Sequence, residues 1–162
     1  FVDNYRKFTK LPAPDFKEVN LSQLIENNLL AANTYCGFNT IVLNKIIPEK
    51  TMFLTDENLL SQVIINILKN ACEALVTGKV ENPRVRITLK KTDNTAKLEI
   101  TNNGPTIPPE IREQIFIPFF TTKEEGSGVG LSLSKQIMLK MNGDVVLNSK
   151  KDMQTTFTII LN

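Results

Sequence analysis

From Glu57 to about Val76, the apolar residues Leu60, Val63, Ile64, Ile67, Leu68, Ala71 and Leu75 recur at steps of three and four. That spacing gathers side chains on one face of an α-helix, and Asp56 stands before the run as an N-cap. A second helical period, Leu21, Leu24, Ile25, Leu29 and Ala32, predicts a helix over residues 21 to 36. Between the two lie the short strand-like segments NTIVLNKII and KTMFLT. Residues 84 to 102 alternate in the strand manner, RVRITLKK then AKLEIT around TDNT, which predicts an antiparallel hairpin. PPEIREQIF reads as a short helix, because proline is tolerated in a first turn and Ile111 and Ile115 are one turn apart. A helix from about Gly130 to Met141, a turn at Asn142-Gly143 and the strands DVVLNS and TTFTIIL complete the chain. Helices falling between runs of strands imply an α+β two-layer sandwich, with a mixed, mostly antiparallel sheet and helices on one face. The two prolines of LPAPDF break regular structure, so residues 1–20 read as the tail of an upstream helix and a linker, and the domain proper is expected over 21–162.

Composition narrows the partners more than the fold. A chain of 162 residues with 41% hydrophobic content has the size of one domain with its own core. Nineteen basic against seventeen acidic residues leave +2, and no basic cluster is interleaved with aromatics, which argues against nucleic acid as a partner. Cys36 and Cys72 lack CxxC spacing and histidine companions, so buried free thiols in a reducing compartment are expected rather than zinc. No uninterrupted apolar run is long enough to span a bilayer and the first residues do not form a signal peptide, so a cytoplasmic fragment without direct membrane contact is expected, from a parent that membranes could still anchor. There is no histidine at all. Chemistry that needs one must take it from another domain.

Two patterns carry candidate chemistry. In FFTTKEEGSGVGLSLSK, Gly126, Gly128 and Gly130 fall at alternate positions and run into a helix. Backbone N-H groups of a glycine turn and of a helix N-terminus cradle phosphate, while a flexible surface loop uses the same glycines. On the helix of residues 57–76, Gln62, Asn66, Asn70, Glu73 and Thr77 form one polar stripe with Lys69 at its edge. A stripe of this kind serves either as a solvated face or as a site. Asparagine is a mediocre helix former, and its amide oxygen is a hard neutral ligand suited to Mg²⁺.

These residues carry a family resemblance. NILKNACEAL at 66 to 75, ITNNGPTIP at 100 to 108, FIPFF at 116 to 120 and GSGVGL at 126 to 131 resemble, in order and spacing, the N, G1, F and G2 boxes of the catalytic ATP-binding domain of sensor histidine kinases in the GHKL superfamily. The resemblance covers residues 21 to 162, and the opening FVDNYRKFTKLPAP is similar to the end of a dimerisation and phosphotransfer domain. It implies a Bergerat-type fold that binds ATP and Mg²⁺. Asn70 would be the metal ligand, Asn66 a neighbouring phosphate or water contact, and Glu73 would border the same site. Asn102 would face the adenine, Gly104 would admit it, Ile107 would wall it, and Thr155 would lie close by. Phe119 and Phe120 would anchor a lid from about Pro108 to Ser127, with Lys123 as its cation for the triphosphate. Gly126, Gly128 and Gly130 would fold the end of the lid over the phosphates, with the helix at Leu131 aimed at them. The implied partners are an upstream dimerisation and histidine phosphotransfer domain and, through it, a response regulator.

Asn66 also discriminates. ATP-hydrolysing relatives of the gyrase and MutL type carry a glutamate there as base for the attacking water, and an amide cannot take that proton. Transfer to a protein acceptor is thereby favoured over hydrolysis. Three positions depart from the family pattern: Asn102 replaces the aspartate of the G1 box, Thr106 replaces its second glycine, and Gln154 replaces a glycine before Thr155. A neutral acceptor in place of the carboxylate weakens adenine binding by on the order of 1 kcal/mol, nearly tenfold. The alternative reading is a degenerate module with weak or no nucleotide binding that acts through protein surfaces. A serine kinase of anti-sigma-factor type is a third, and the phosphotransfer-like N-terminal segment speaks against it.

Overall fold

The computed structural model of the chain describes residues 11–35, 37–120, 130–150 and 154–162. Its longest element is the helix α2, Glu57–Thr77, which begins where expected. Asp56 is extended at φ −95° and its Oδ1 accepts the Leu59 N-H at 2.9 Å, satisfying a donor that the first helical turn leaves over. By composition α2 could pass for a membrane span, with a mean hydropathy of 1.4 over 18 residues, although no uninterrupted apolar run suggested it. Half of that stretch is buried inside the fold, where Val63, Ile67 and Leu68 lose all contact with solvent. Each such side chain stabilises the fold by about 1.5–3 kcal/mol.

Two sheets receive the rest. The larger contains β2 (Val42–Ile46), β4 (Arg84–Lys91), β5 (Ala96–Asn102), β6 (Asp144–Lys150) and β7 (Gln154–Leu161) in the order β2-β4-β5-β7-β6. β2 runs parallel to β4 and every other pair is antiparallel, giving the mixed, mostly antiparallel sheet that the pattern implied. The expected 84–102 hairpin is present, closed by Thr92 N-H to Thr95 O at 2.8 Å. The helices α1 (Leu21–Ala32), α2 and α3 (Gly130–Lys140) cover one face of it, and Ala96, Leu98, Ile100 and Asn102 point from β5 into that layer.

Three sequence readings are corrected. The supposed linker ends in a strand, β1 (Lys17–Asn20), which pairs antiparallel with β3 (Met52–Thr55) as a separate two-stranded sheet, with Val19 buried opposite Phe53. The first helix stops at Ala32 rather than 36: the Thr34 hydroxyl bonds back to Ala31 O at 2.8 Å, and Gly37 at φ +79° turns the chain away. PPEIREQIF forms only a 3-10 turn, Pro109–Ile111, followed by further turns. Its backbone bonds close mostly over three residues, as from Ile111 N-H to Pro108 O and from Gln114 N-H to Ile111 O, and burial of Ile115 holds the turns against the core.

Candidate functional site

The polar stripe of α2 lies between two fixed points. At one end the Asn66 Nδ2 donates to Gly130 O at 3.2 Å and to Ser134 Oγ at 3.3 Å, while Ser134 Oγ donates to the same carbonyl at 2.8 Å. The first turn of α3 is thus held against α2, and the Asn66 Oδ1 remains as an acceptor. At the other end, the turn after β5 packs on Ala74. A Cβ added to Gly104 would lie 3.5 Å from Ala74 Cβ and 2.8 Å from Asn102 Oδ1, so this close approach admits only glycine unless Asn102 moves. Eight residues of helix separate the two ends, about 12 Å.

Asn102 is buried at 4% exposure. Its Oδ1 accepts the Gly104 N-H at 2.9 Å, a commitment not visible in the sequence. Thr155 lies opposite it in register on β7 and is also buried. The Thr155 hydroxyl sits 3.4 Å from Ser149 Oγ, and that oxygen accepts the Ile107 N-H at 3.0 Å. Ile107 is further tied by the Arg112 Nε, which donates to its carbonyl at 2.9 Å. Asn102, Gly104, Ile107 and Thr155 are therefore brought together. Ser149, Ser134 and Arg112 had not been singled out. Ser149 shares strand parity with the inward-facing Val145 and Leu147, and a hydroxyl in that position was the available signal.

Beyond Ile107, Phe116 meets Phe157 edge-on at 6.4 Å, and the Lys135 ammonium lies 5.1 Å from the Phe116 ring centroid while pairing with Asp144 at 2.6 Å. Phe119 adopts φ +68°, strained for a side chain with a Cβ, and Phe120 is half-buried. Leu131 is half-buried on α3. Gly130 does not need to be glycine for space, since a Cβ there would meet only Asn66 at 3.8 Å. Asn70 is half-buried and Glu73 exposed, on the stripe between the two ends. Lys123, Gly126 and Gly128, and with them residues 121–127 at the end of the expected lid, lie outside the described residues, as does Cys36, while Cys72 is buried. A cavity of about 10 Å³ lies elsewhere, among Leu21, Leu60, Ile64 and Leu98, and is an apolar packing gap. Among the described residues, no group of three or more His, Cys, Asp or Glu could hold a metal by itself.

Residues 55–162, which include both ends of the stripe, match the histidine kinase-, DNA gyrase B- and HSP90-like ATPases. The chain belongs to this ATPase family. Within it, the chain is similar to the signal transduction histidine-protein kinase AtoS of Escherichia coli K12, at 34% identity over 99% of this chain and 26% of that protein. It is also similar to the nitrogen regulation protein NtrY of Azorhizobium caulinodans, at 30% identity over 91% of this chain and 19% of that one. It therefore spans about a quarter of the first relative and about a fifth of the second. Among solved structures, the nucleotide-free catalytic domain of histidine kinase ThkA superposes with a TM-score of 0.79 at 30% identity, covering 91% of this chain and 95% of that one. ThkA in complex with response regulator protein TrrA matches with a TM-score of 0.82 at 26% identity, over 99% of this chain and 45% of that one. An ATP-binding ATPase-type domain with this sheet order and helical layer is accordingly the coarse identity of the fold.

Proposed function

We propose that this chain is the catalytic, ATP-binding domain of a sensor histidine kinase, in which the α2 stripe holds Mg-ATP and presents its γ-phosphate to a histidine on another domain. The observation that carries the reading is the placement of the stripe: the α3 N-terminus and Asn66 close one end, and Asn102, Gly104, Ile107 and Thr155 close the other. An extended nucleotide suits that arrangement, with phosphates at the helix N-terminus and the base at the glycine turn. Asn70 and the Oδ1 of Asn66 are neutral oxygen donors. Such a set fits Mg²⁺, which keeps most of its contacts with phosphate and water, and the bound ion would supply charge neutralisation for the transferring phosphoryl group. Lys123, Gly126 and Gly128 belong to the proposed phosphate end by their place in the sequence, Phe120, Gly130 and Leu131 border it, and Glu73 lies further along the stripe beside Ala74.

What these side chains do is bind, orient and exclude water. Asn66 orients without acting as a base, since its amide takes no proton at neutral pH and its nitrogen is bonded to Gly130 and Ser134. That favours a protein acceptor over water. The chain contains no histidine, so the phosphoacceptor belongs to a dimerisation and phosphotransfer domain, with the residues before β1 as the connection to it, and a response regulator would receive the phosphate next. The test is calorimetric titration of the chain with a non-hydrolysable ATP analogue, with and without Mg²⁺, for the wild type and Asn70→Ala. Binding is expected to depend on Mg²⁺ in the wild type and to lose that dependence in the variant. Unchanged magnesium dependence would move the metal away from Asn70, and absence of any nucleotide binding would leave a module that acts through protein surfaces.

A further inference from the structure

The three most exposed large hydrophobic side chains among the described residues are Leu30 at 69%, Val42 at 60% and Ile46 at 56%. All three belong to one border of the larger sheet. Val42 and Ile46 begin and end β2, whose single strand neighbour among the described residues is β4. Leu30 stands one helical turn beyond Glu26 on α1, and the Glu26 carboxylate holds the Lys45 ammonium of β2 at 3.0 Å. The Val42 N-H donates to Pro83 O, so in this parallel ladder Val42, Asn44 and Ile46 turn their backbone groups to β4, while Leu43 and Lys45 turn theirs to the open edge. At the opposite border, Lys135 covers the edge of β6 by donating to Val145 O at 3.1 Å. Among the described residues β2 has no such cover, because its one lysine is drawn off onto α1.

We propose that β2 is a self-pairing edge, which joins antiparallel to β2 of a second copy of this chain about a two-fold axis at Asn44. The strand VLNKI is self-complementary in that register. Leu43 of one copy faces Lys45 of the other, and these are the residues whose N-H and C=O groups point outward, so each such pair exchanges both of its hydrogen bonds. Val42 of one copy faces Ile46 of the other on the open face of the sheet, which covers both exposed side chains. Registers shifted by two residues set Lys45 against Lys45, or leave Val42 facing Asn44. The charges also fit. Each Lys45 is neutralised within its own copy by Glu26, and Arg86, beside Asn44 on β4, lies three strand spacings from its counterpart, about 14 Å and more than a Debye length at physiological salt. An exposed apolar pair on an open strand is a template for another chain, and a contact of this isologous kind closes at two copies.

Sedimentation equilibrium of the 162-residue chain tests the pairing. A strand of 5 residues makes a small interface, of the class that associates weakly, so the average mass is expected to rise from 18.2 kDa toward twice that value between about 10 μM and about 1 mM. Ile46→Lys sets a charge against Val42, and Lys45→Pro removes an outward N-H without removing a bond to β4. Each is expected to weaken dimerisation by about tenfold or more while the circular dichroism stays that of the wild type. Oxidation reads the register. In a Cys36→Ser background, Asn44→Cys is expected to link two copies by a disulfide, since a non-hydrogen-bonded antiparallel pair has a suitable Cα separation, and Val42→Cys is not. A wild-type chain that stays at 18.2 kDa up to about 1 mM overturns the proposal without recourse to any variant. A dimer that both folded variants leave intact overturns it too, and linkage through Val42→Cys but not Asn44→Cys overturns the pairing about Asn44.

Discussion

Replacing Asp56 by alanine removes two hydrogen bonds from one buried carboxylate. Oδ1 caps α2 through Leu59 N-H at 2.9 Å, and Oδ2 accepts the Asp15 N-H at 2.8 Å, fixing the segment that leads into β1. Loss of an aspartate cap destabilises by about 1 kcal/mol. The second bond adds about 1 kcal/mol, kept to that size because Asp15 is exposed and water can take its N-H. The expected total of about 2 kcal/mol corresponds to a fall in Tm of roughly 4–8 °C for a domain of this size. Asp56→Asn separates the two terms: its Oδ1 still caps Leu59, while its NH₂ faces the Asp15 N-H, so about half of the loss is expected. Urea unfolding followed by circular dichroism measures both, with an unchanged m-value expected because the same surface is exposed. Equal losses for asparagine and alanine would refute the division between the oxygens. A loss under about 0.5 kcal/mol for alanine would refute the role of the carboxylate altogether.

Gly143→Ala should be the most damaging small substitution at the turn before β6, because its Cβ would lie 2.2 Å from Ile160 O and 2.9 Å from Met138 Cε. We expect about 2–3 kcal/mol of lost stability in the same unfolding assay, and a loss below about 0.5 kcal/mol would count against that steric reading. Burial raises the pKa of the Tyr35 phenol above its ordinary 10.0. A group with a raised folded-state pKa contributes stability that is fully present below pH 10.0 and is lost as pH rises through the folded-state value. Tyr35→Phe should therefore lose less stability than the wild type as pH rises above 10.0, read as the difference between two Tm profiles so that lysine titration cancels. Parallel profiles would show that the phenol is not desolvated.

Local patterns were legible and distant pairings were not. The apolar face of α2, its Asp56 cap and the Thr92–Thr95 hairpin each depend on residues a few positions apart, and the sequence placed them closely. β1 escaped because its partner, β3, lies more than thirty residues away and its prolines suggested a linker. The same limit applied at the site. The box residues identified Asn66 and Asn102, but the bonds that decide what each amide can still do run to Gly130, Ser134 and Gly104, and depend on how α3 and the turn after β5 meet α2. Side-chain identity was readable; the direction of its free lone pair or proton was a property of packing.

The shared carboxylate of Asp56 has a mechanical meaning. It bolts the incoming segment at Asp15 to the foot of a stiff rod, and Asn66 stands about 15 Å further along that rod. No slack loop intervenes between them. A displacement of residues 15–20 relative to the larger sheet would be borne first by the foot of α2 as tilt, and the length of the lever, rather than any further contact, sets how far the amide at Asn66 would travel.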